Sequence, residues 1–240
     1  MTNRTTETSP LVYARVAGLA YVTIIMIGIL GVGFLVESNI VSGNNAATVN
    51  KIRANELLFR IGIASEIMMF VLVVLLSLAL YVILKTVNKN LALLALLWRL
   101  GEAIIGGGVT VISGLIPLLL LDNEAVFETE QLQALVGLFL DVRNAGLDVV
   151  LIFIGMGGTV FCYLFFKSKY VPRILAAWGM LTYLSMLILG FVSILSPNLP
   201  ETVKMAFYAP GGLFEIIFGL WLLVKGVNVE EWKNRALESA

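Results

Sequence analysis

The sequence contains no histidine and a single cysteine, Cys162, among its 240 residues. Without histidine there is no imidazole to ligate haem or zinc, to activate a serine nucleophile or to titrate near neutral pH. One cysteine excludes an internal disulfide, and the two shortages together argue against a transition-metal site. We therefore expect neither a metal nor a cofactor.

Charge is also scarce. Only 13% of the residues are charged, whereas soluble proteins have about 25%, and 59% are hydrophobic, with a mean hydropathy of +0.96. So much apolar surface requires lipid as its solvent. The 16 basic and 16 acidic residues give a net charge of zero, so the chain has no overall field to attract nucleic acid. The composition predicts an integral membrane protein that contacts membrane lipid and does not bind nucleic acid.

Six segments are long and apolar enough to cross a bilayer as helices, which requires about 20 residues. We predict an all-α, six-helix transmembrane bundle that forms a single domain over residues 1–240. The first span is expected to be retained, because no small-x-small cleavage site follows it. The predicted spans are about 12–36, 57–84, 91–121, 144–166, 173–196 and 210–227.

The segments outside the spans contain amphipathic stretches. Those in the longer connections, 37–56 and 122–143, are expected to lie at the membrane interface before the chain enters the bilayer. The tail 229–240 predicts either a short amphipathic helix with Trp232 at the interface or a solvated segment.

Lysine and arginine are concentrated on one side of the predicted spans. Because cytoplasmic loops carry an excess of these residues, both termini are predicted to face the cytoplasm. The basic residues assigned to that side are Arg4, Arg15, Lys85, Lys89, Lys167, Lys169, Arg173, Lys225, Lys233 and Arg235.

A weak internal repeat accompanies this orientation. Each inward-running span carries an acidic residue above a cytoplasmic lysine, which favours three helical hairpins in the same orientation. Lysine anchors at cytoplasmic helix ends are also routine, so the pattern alone leaves the repeat open. The three pairs are Glu66 with Lys85, Asp148 with Lys167, and Glu215 with Lys225.

Five charged residues lie inside the predicted spans and are the candidate ligand-binding residues: Arg99, Glu102, Glu215, Glu66 and Asp148. A charge in a span costs about 2.5–3.5 kcal/mol on insertion scales and usually faces the bundle interior. At about 1.5 Å per residue from the cytoplasmic lysines, Arg99, Glu102 and Glu215 lie about 15–20 Å deep. Glu66 and Asp148 lie about 28 Å up, near the outer boundary. The depths predict a midplane cluster of Arg99, Glu102 and Glu215.

Two interpretations of the midplane cluster are open. In the first it is a ligand site, where Arg99 holds an anionic group and one of the two carboxylates carries a proton or a cation. In the second the charges only lock three helices together. For Glu66 and Asp148 the alternatives are an outer ring of charges with Arg60 and Arg143, or ordinary solvation at the interface.

A further group of polar residues could indicate a catalytic magnesium site. Asp141, Asn144 and Asp148 share one helix face, and oxygen ligands on one face can hold magnesium against a diphosphate. Membrane enzymes of that kind need a second aspartate-rich helix, and the sequence contains none. We assign no catalytic residue and expect a protein that is not an enzyme.

Three stretches resemble a bacterial membrane family known as domain of unknown function 4386. They are ARVAGLAYVTIIMIGILG (14–31), the run from 58 to 100, and IFIGMGGTVFCYLFFKSKYVPRILAAWGML (152–181). The resemblance implies six helices and a bacterial plasma membrane, and it brings no activity or catalytic residues. Family members often place a histidine near the position of Arg143, so any role of that histidine does not transfer to this chain.

Together these features predict a multi-pass membrane protein that binds or transports a small molecule, lipid or ion at its buried charged cluster. The alternative is a non-catalytic membrane partner or sensor subunit whose buried charges are structural.

Overall fold

The computed structural model describes residues 9–196 and 199–238, so Arg4 and the last two residues of the tail lie outside it. Within those ranges the chain is helical and contains no strand. Six of the helices are long and apolar enough to cross a membrane, which confirms the all-α, six-span prediction.

The helices follow one another through short connections. α1 continues into a π-helical segment (Ile27–Val36), and α4 continues through a π-helical turn (Val111–Leu115) into α5. The bounds are α1 Pro10–Met26, α2 Asn45–Ala54, α3 Glu56–Leu84, α4 Lys89–Thr110, α5 Ile116–Asp122, α6 Thr129–Ser168, α7 Arg173–Leu195, α8 Glu201–Val224 and α9 Val229–Glu238.

Local chemistry explains where several helices begin, end or change pitch. The Asn88 side chain accepts a hydrogen bond from the Leu91 amide (2.9 Å) and so caps α4. Lys169 ends α6 in the left-handed conformation, with φ of 61°. Pro117 has no backbone N–H and so cannot donate a helical hydrogen bond to the preceding turn. The helix is π-helical in that turn, at Val111–Leu115, and continues as α5 from Ile116.

The six spans form a closed ring. Each packs mainly against its neighbours in sequence, in the order α1, α3, α4, α6, α7, α8, and α8 packs back against α1. The outward faces carry exposed apolar side chains such as Leu19, Ile104 and Leu181. In lipid this arrangement leaves the interior of the ring as the place where polar side chains can be accommodated.

Two helix boundaries differ from the sequence-based expectation. The sequence predicts a fourth span at 144–166 with an interfacial segment before it, but α6 is one helix of 40 residues. At about 1.5 Å per residue it is about 60 Å long, twice the bilayer core, so Thr129–Arg143 continues the span's axis. The sixth span also begins earlier than 210, since α8 starts at Glu201 and contains Pro210 within it.

The tail forms helix α9, and its Trp232 packs into the bundle. The Trp232 side chain is only 9% exposed, and its indole donates a hydrogen bond to the Ile83 carbonyl oxygen at 3.1 Å. Arg235 donates to the Lys167 carbonyl oxygen at 3.2 Å. These contacts hold α9 against the ends of α3 and α6.

The bundle has two ends with different charge. The basal end comprises the start of α1, the α3–α4 and α6–α7 connections and α9, and it holds the lysine-rich segments. The distal end comprises α2, the α5–α6 connection and the connection before α8. The excess of basic residues favours a cytoplasmic basal end.

We expect cysteine labelling to test this orientation. Ala125 is exposed at the distal end and Asn234 at the basal end, while the native Cys162 is only 2% exposed and gives little background. In intact cells a membrane-impermeant maleimide should label Ala125→Cys but not Asn234→Cys, which should react only after permeabilisation. The reverse pattern would show that the basal end faces outward.

Candidate functional site

The ring encloses a cavity of about 270 Å³. Its wall combines Arg99, Glu102 and Glu215 with largely apolar residues, including Phe70 and Val150. Five of the six spans contribute, because residues of α1, α3, α4, α6 and α8 all line it. The three residues of the predicted midplane cluster therefore all line this cavity.

Arg99 and Glu102 form an ion pair within α4. Arg99 Nη1 and Glu102 Oε2 lie 2.6 Å apart, and the side chains are only 5% and 3% exposed. Their angle does not meet hydrogen-bond geometry, so among the described residues neither atom has a hydrogen-bond partner. The spacing i, i+3 on one helix brings the charges together but leaves them poorly aligned. Both groups therefore retain hydrogen-bonding capacity in the cavity wall.

Glu215 belongs to a second polar chain. Tyr183 donates its hydroxyl to Glu215 Oε1 at 2.9 Å, and the hydroxyls of Tyr183 and Tyr21 are 3.0 Å apart. This chain links α8, α7 and α1. Among the described residues no cation lies within ion-pair distance of Glu215. The charges of Arg99, Glu102 and Glu215 sum to −1 when all three are ionised.

Glycines determine how closely the helices approach around these side chains. A Cβ at Gly157 of α6 would lie 2.7 Å from Arg99 Cγ, so the glycine makes room for the arginine stem. Gly101 and Gly106 of α4 face the rings of Phe153 and Phe70. Gly107 and Gly108 face open space, so only part of the glycine-rich run serves close packing.

Glu66 lies in a separate buried ion network at the distal end. Arg143 Nη1 donates to Glu66 Oε2 at 2.9 Å, and Arg143 Nε donates to Glu37 Oε1 at 2.9 Å. Arg143 and Glu66 are each only 2% exposed. Solvation at the interface, one of the two alternatives for Glu66, therefore does not apply to it. Arg60 instead pairs with Glu56 and Asp122 on the surface. The network joins α6 to α3 and to the end of the first span.

Asp148 lines a different cavity from the Arg99, Glu102 and Glu215 cluster. With Asp141 and Asn144 it lines a distal cavity of about 820 Å³, which also touches Glu37, Ser193 and Lys204. The three residues of the aspartate-rich pattern therefore do share one face, as their spacing predicts. In the described part of the chain no three His, Cys, Asp or Glu side chains are grouped so that they could hold a metal ion.

Sequence reasoning did not identify Tyr21, Tyr183 or Glu37 as polar partners. A tyrosine in an apolar span carries no signal of its own, since its ring packs like any other hydrophobic side chain. The amphipathic residues before Arg143 predict that it belongs to a connection, whereas the structure places it within α6. The sequence predicts either an outer ring of charges that includes Arg143 or interfacial solvation, and it does not identify the partners of Arg143, which lie more than 70 positions away.

A family model described as Domain of unknown function (DUF4386) matches residues 16–226. This range includes the second to sixth spans, most of the first span and every charged residue of the central cavity. Comparison with curated proteins and with solved structures found no match.

Proposed function

Because the chain belongs to the DUF4386 family, whose description assigns no activity, we propose a function from the cavity itself. The protein binds, and in doing so can transport, a small and mainly apolar molecule that carries one positive charge. The observation that carries this proposal is the cavity wall, where Glu102 and Glu215 face a single cation, Arg99. The proposed location is the bacterial plasma membrane, with the basal end in the cytoplasm.

Charge balance supports a cationic ligand. Arg99 is already compensated by Glu102, so an anionic ligand would have to compete with that carboxylate. Glu215 accepts one hydrogen bond from Tyr183 and has no cation of its own in the described ranges. An uncompensated charge at this depth is costly, so Glu215 either takes up a proton or binds a cation. If a cationic ligand displaces the proton from Glu215, ligand binding is coupled to proton movement.

The size and polarity of the cavity further narrow the range of molecules that it could bind. Its volume of about 270 Å³ is just below the roughly 300–1,000 Å³ of pockets for drug-sized molecules. Apolar and aromatic side chains form most of the wall, and the polar groups are confined to one cluster. A primary or secondary amine with a compact hydrocarbon body matches both features.

A second candidate function is a partner or sensor subunit whose buried charges are structural. The hydrogen-bonded chain of Tyr21, Tyr183 and Glu215 favours it, since these side chains tie three helices together. The Arg99–Glu102 pair does not favour it, because both residues belong to α4 and so join no two helices. The two functions differ in what a neutral substitution should do.

Native mass spectrometry of the gently extracted protein tests the proposal. Wild type should retain a small molecule and Glu215→Gln should lose it, whereas Arg99→Gln should keep it, because that variant removes the positive charge that opposes a cationic ligand. Glu215→Gln keeps an oxygen that can accept from Tyr183, so loss of the ligand without a large drop in melting temperature supports the binding site. If wild type retains nothing specific and both variants only melt earlier, the structural alternative is correct.

A glycine pair provides a variant that leaves every charge in place. Gly28 lines the cavity, and a Cβ there would meet nothing within 4 Å. Gly33, in the same π-helical segment, is exposed and does not line the cavity. Gly28→Leu should fill the cavity and abolish retention of the ligand, whereas Gly33→Leu should leave it intact. Equal retention by both variants would place the ligand elsewhere.

A further inference from the structure

A second cavity lies outside the ring, in the basal end. It is a groove of about 730 Å³ formed where α6 ends, α7 begins and α8 ends. Three basic side chains line it, Lys169, Arg173 and Lys225, and no carboxylate among the described residues does. All three are exposed, and each comes from a different helix end. The groove is therefore a concentrated positive site in a chain of zero net charge.

Contacts within the described ranges do not neutralise these charges. None of the three side chains forms an ion pair there. The Arg173 guanidinium stacks over the Phe166 ring with 5.4 Å to the ring centroid, a contact that leaves its N–H donors at the edge. Burial raises the pKa of Tyr170, whose hydroxyl pairs with Thr86 at 2.9 Å, so the phenol adds no negative charge.

The backbone around the groove is firmly held. The Asn228 amide donates to the Tyr170 carbonyl oxygen at 2.9 Å, which fixes the α8–α9 connection against the α6–α7 connection. Lys169 and Gly226 both adopt positive φ, 61° and 71°, and so turn the chain sharply on either side of the groove. The three cations are thus presented on ordered turns at the ends of their helices.

Apolar residues adjoin the cations on the side of the spans. Ile174, which lines the groove, is 86% exposed, and Val224, one residue before Lys225, is 70% exposed. Trp221 also lines the groove, and tryptophan is enriched at the level of lipid headgroups. The groove lies at the ends of three spans and is cationic on one side and apolar on the other. It therefore complements an amphiphile with an anionic head group.

We propose that this basal groove binds the headgroup of an anionic phospholipid through Lys169, Arg173 and Lys225, with an acyl chain running along Ile174 and Val224. The arginine supplies planar, paired donors for phosphate oxygens, and the lysines supply point charges beside them. The site is separate from the central cavity and does not depend on the function proposed for it.

Lipid binding to the protein in a neutral detergent tests the proposal. Native mass spectrometry would compare phosphatidylglycerol with phosphatidylcholine of the same acyl chains, and with inorganic phosphate. The groove variant combines Lys169→Asn, Arg173→Gln and Lys225→Gln, since asparagine tolerates the left-handed backbone at 169. The control combines Lys85→Gln, Lys89→Gln and Lys233→Gln, which removes the same charge from exposed positions of the basal end outside the groove.

Wild type and the control variant should bind phosphatidylglycerol in preference to phosphatidylcholine. The groove variant should bind it about 100-fold more weakly, because each basic residue near an anionic lipid surface contributes about 1 kcal/mol. Equal weakening in the control variant would show a diffuse effect of charge and overturn the site. Displacement of the lipid by millimolar inorganic phosphate would overturn it as a lipid site and leave a site for free phosphate.

Discussion

Arg143→Gln is expected to destabilise the protein by about 3–5 kcal/mol, because removing one member of a buried ion pair leaves an uncompensated charge. Arg143 is 2% exposed and contacts both Glu66 and Glu37, and Glu66 is equally buried. A glutamine at 143 is neutral and shorter than arginine. Glu66 must then be protonated or hydrated at the cost of local structure. The measurement is the free energy of unfolding in mixed micelles.

Arg60→Gln is the matched control. Arg60 also contacts two carboxylates, those of Glu56 and Asp122, but its side chain is 40% exposed. Exposed ion pairs contribute about 0–1 kcal/mol, so this variant should lose at most that amount. A cost at Arg60 equal to that at Arg143 would show that burial is not the cause.

The double variant Arg143→Met/Glu66→Leu should recover most of the lost stability, since replacing both buried charges by apolar side chains is often neutral or stabilising. Glu37 keeps access to solvent because its side chain is 48% exposed, so it does not become a second buried charge. Failure of the double variant to recover stability would mean that Arg143 stabilises the distal end by packing and not by charge.

Gly18→Val is expected to open the ring at the seam between α1 and α8. A Cβ at residue 18 would lie 2.4 Å from the Leu223 amide nitrogen and 2.6 Å from the Gly219 carbonyl oxygen. These are backbone atoms, so no side-chain rotation relieves the overlap and the helices must separate. Overpacking of this kind typically costs about 1–3 kcal/mol and sometimes more. Because α1 and α8 both line the central cavity, retention of its ligand should fall as well.

The control for this prediction is Gly212 of α8. A Cβ at Gly212 would meet nothing within 4 Å, so Gly212→Ala should leave stability unchanged or raise it by up to about 1 kcal/mol. Gly18→Ala should already be destabilising, and Gly18→Val more so. A series in which Gly18 and Gly212 variants behave alike would contradict the close seam.

The depth of the central charges could be inferred from the sequence because a helix has a constant rise. Arg99 and Glu215 each stand ten residues from a terminal lysine, and counting places them at the same level. Their presence on the wall of one cavity needs more than equal depth. It depends on the rotation of each helix about its axis, which the glycine seams and the order of the ring determine.

The outer charges show where local inference fails. Arg143 and Asp148 lie five residues apart on α6, but Arg143 lies on the face that meets α3 and the end of the first span, where it donates to Glu66 and Glu37. Asp148 turns toward the distal cavity instead. Arg143 pairs with the carboxylates that lie beside it in the folded bundle, and those neighbours depend on how the helices pack.

The membrane environment, the number of spans and the absence of histidine chemistry can be read from the sequence, because they follow from composition and from runs of apolar residues. The folded structure was needed to show which charges are paired, that Tyr183 and Tyr21 extend the Glu215 cluster, and that three separate helix ends converge on a basic groove. Hydropathy accumulates along a chain, whereas ion pairs and cavities depend on distances between segments far apart in sequence.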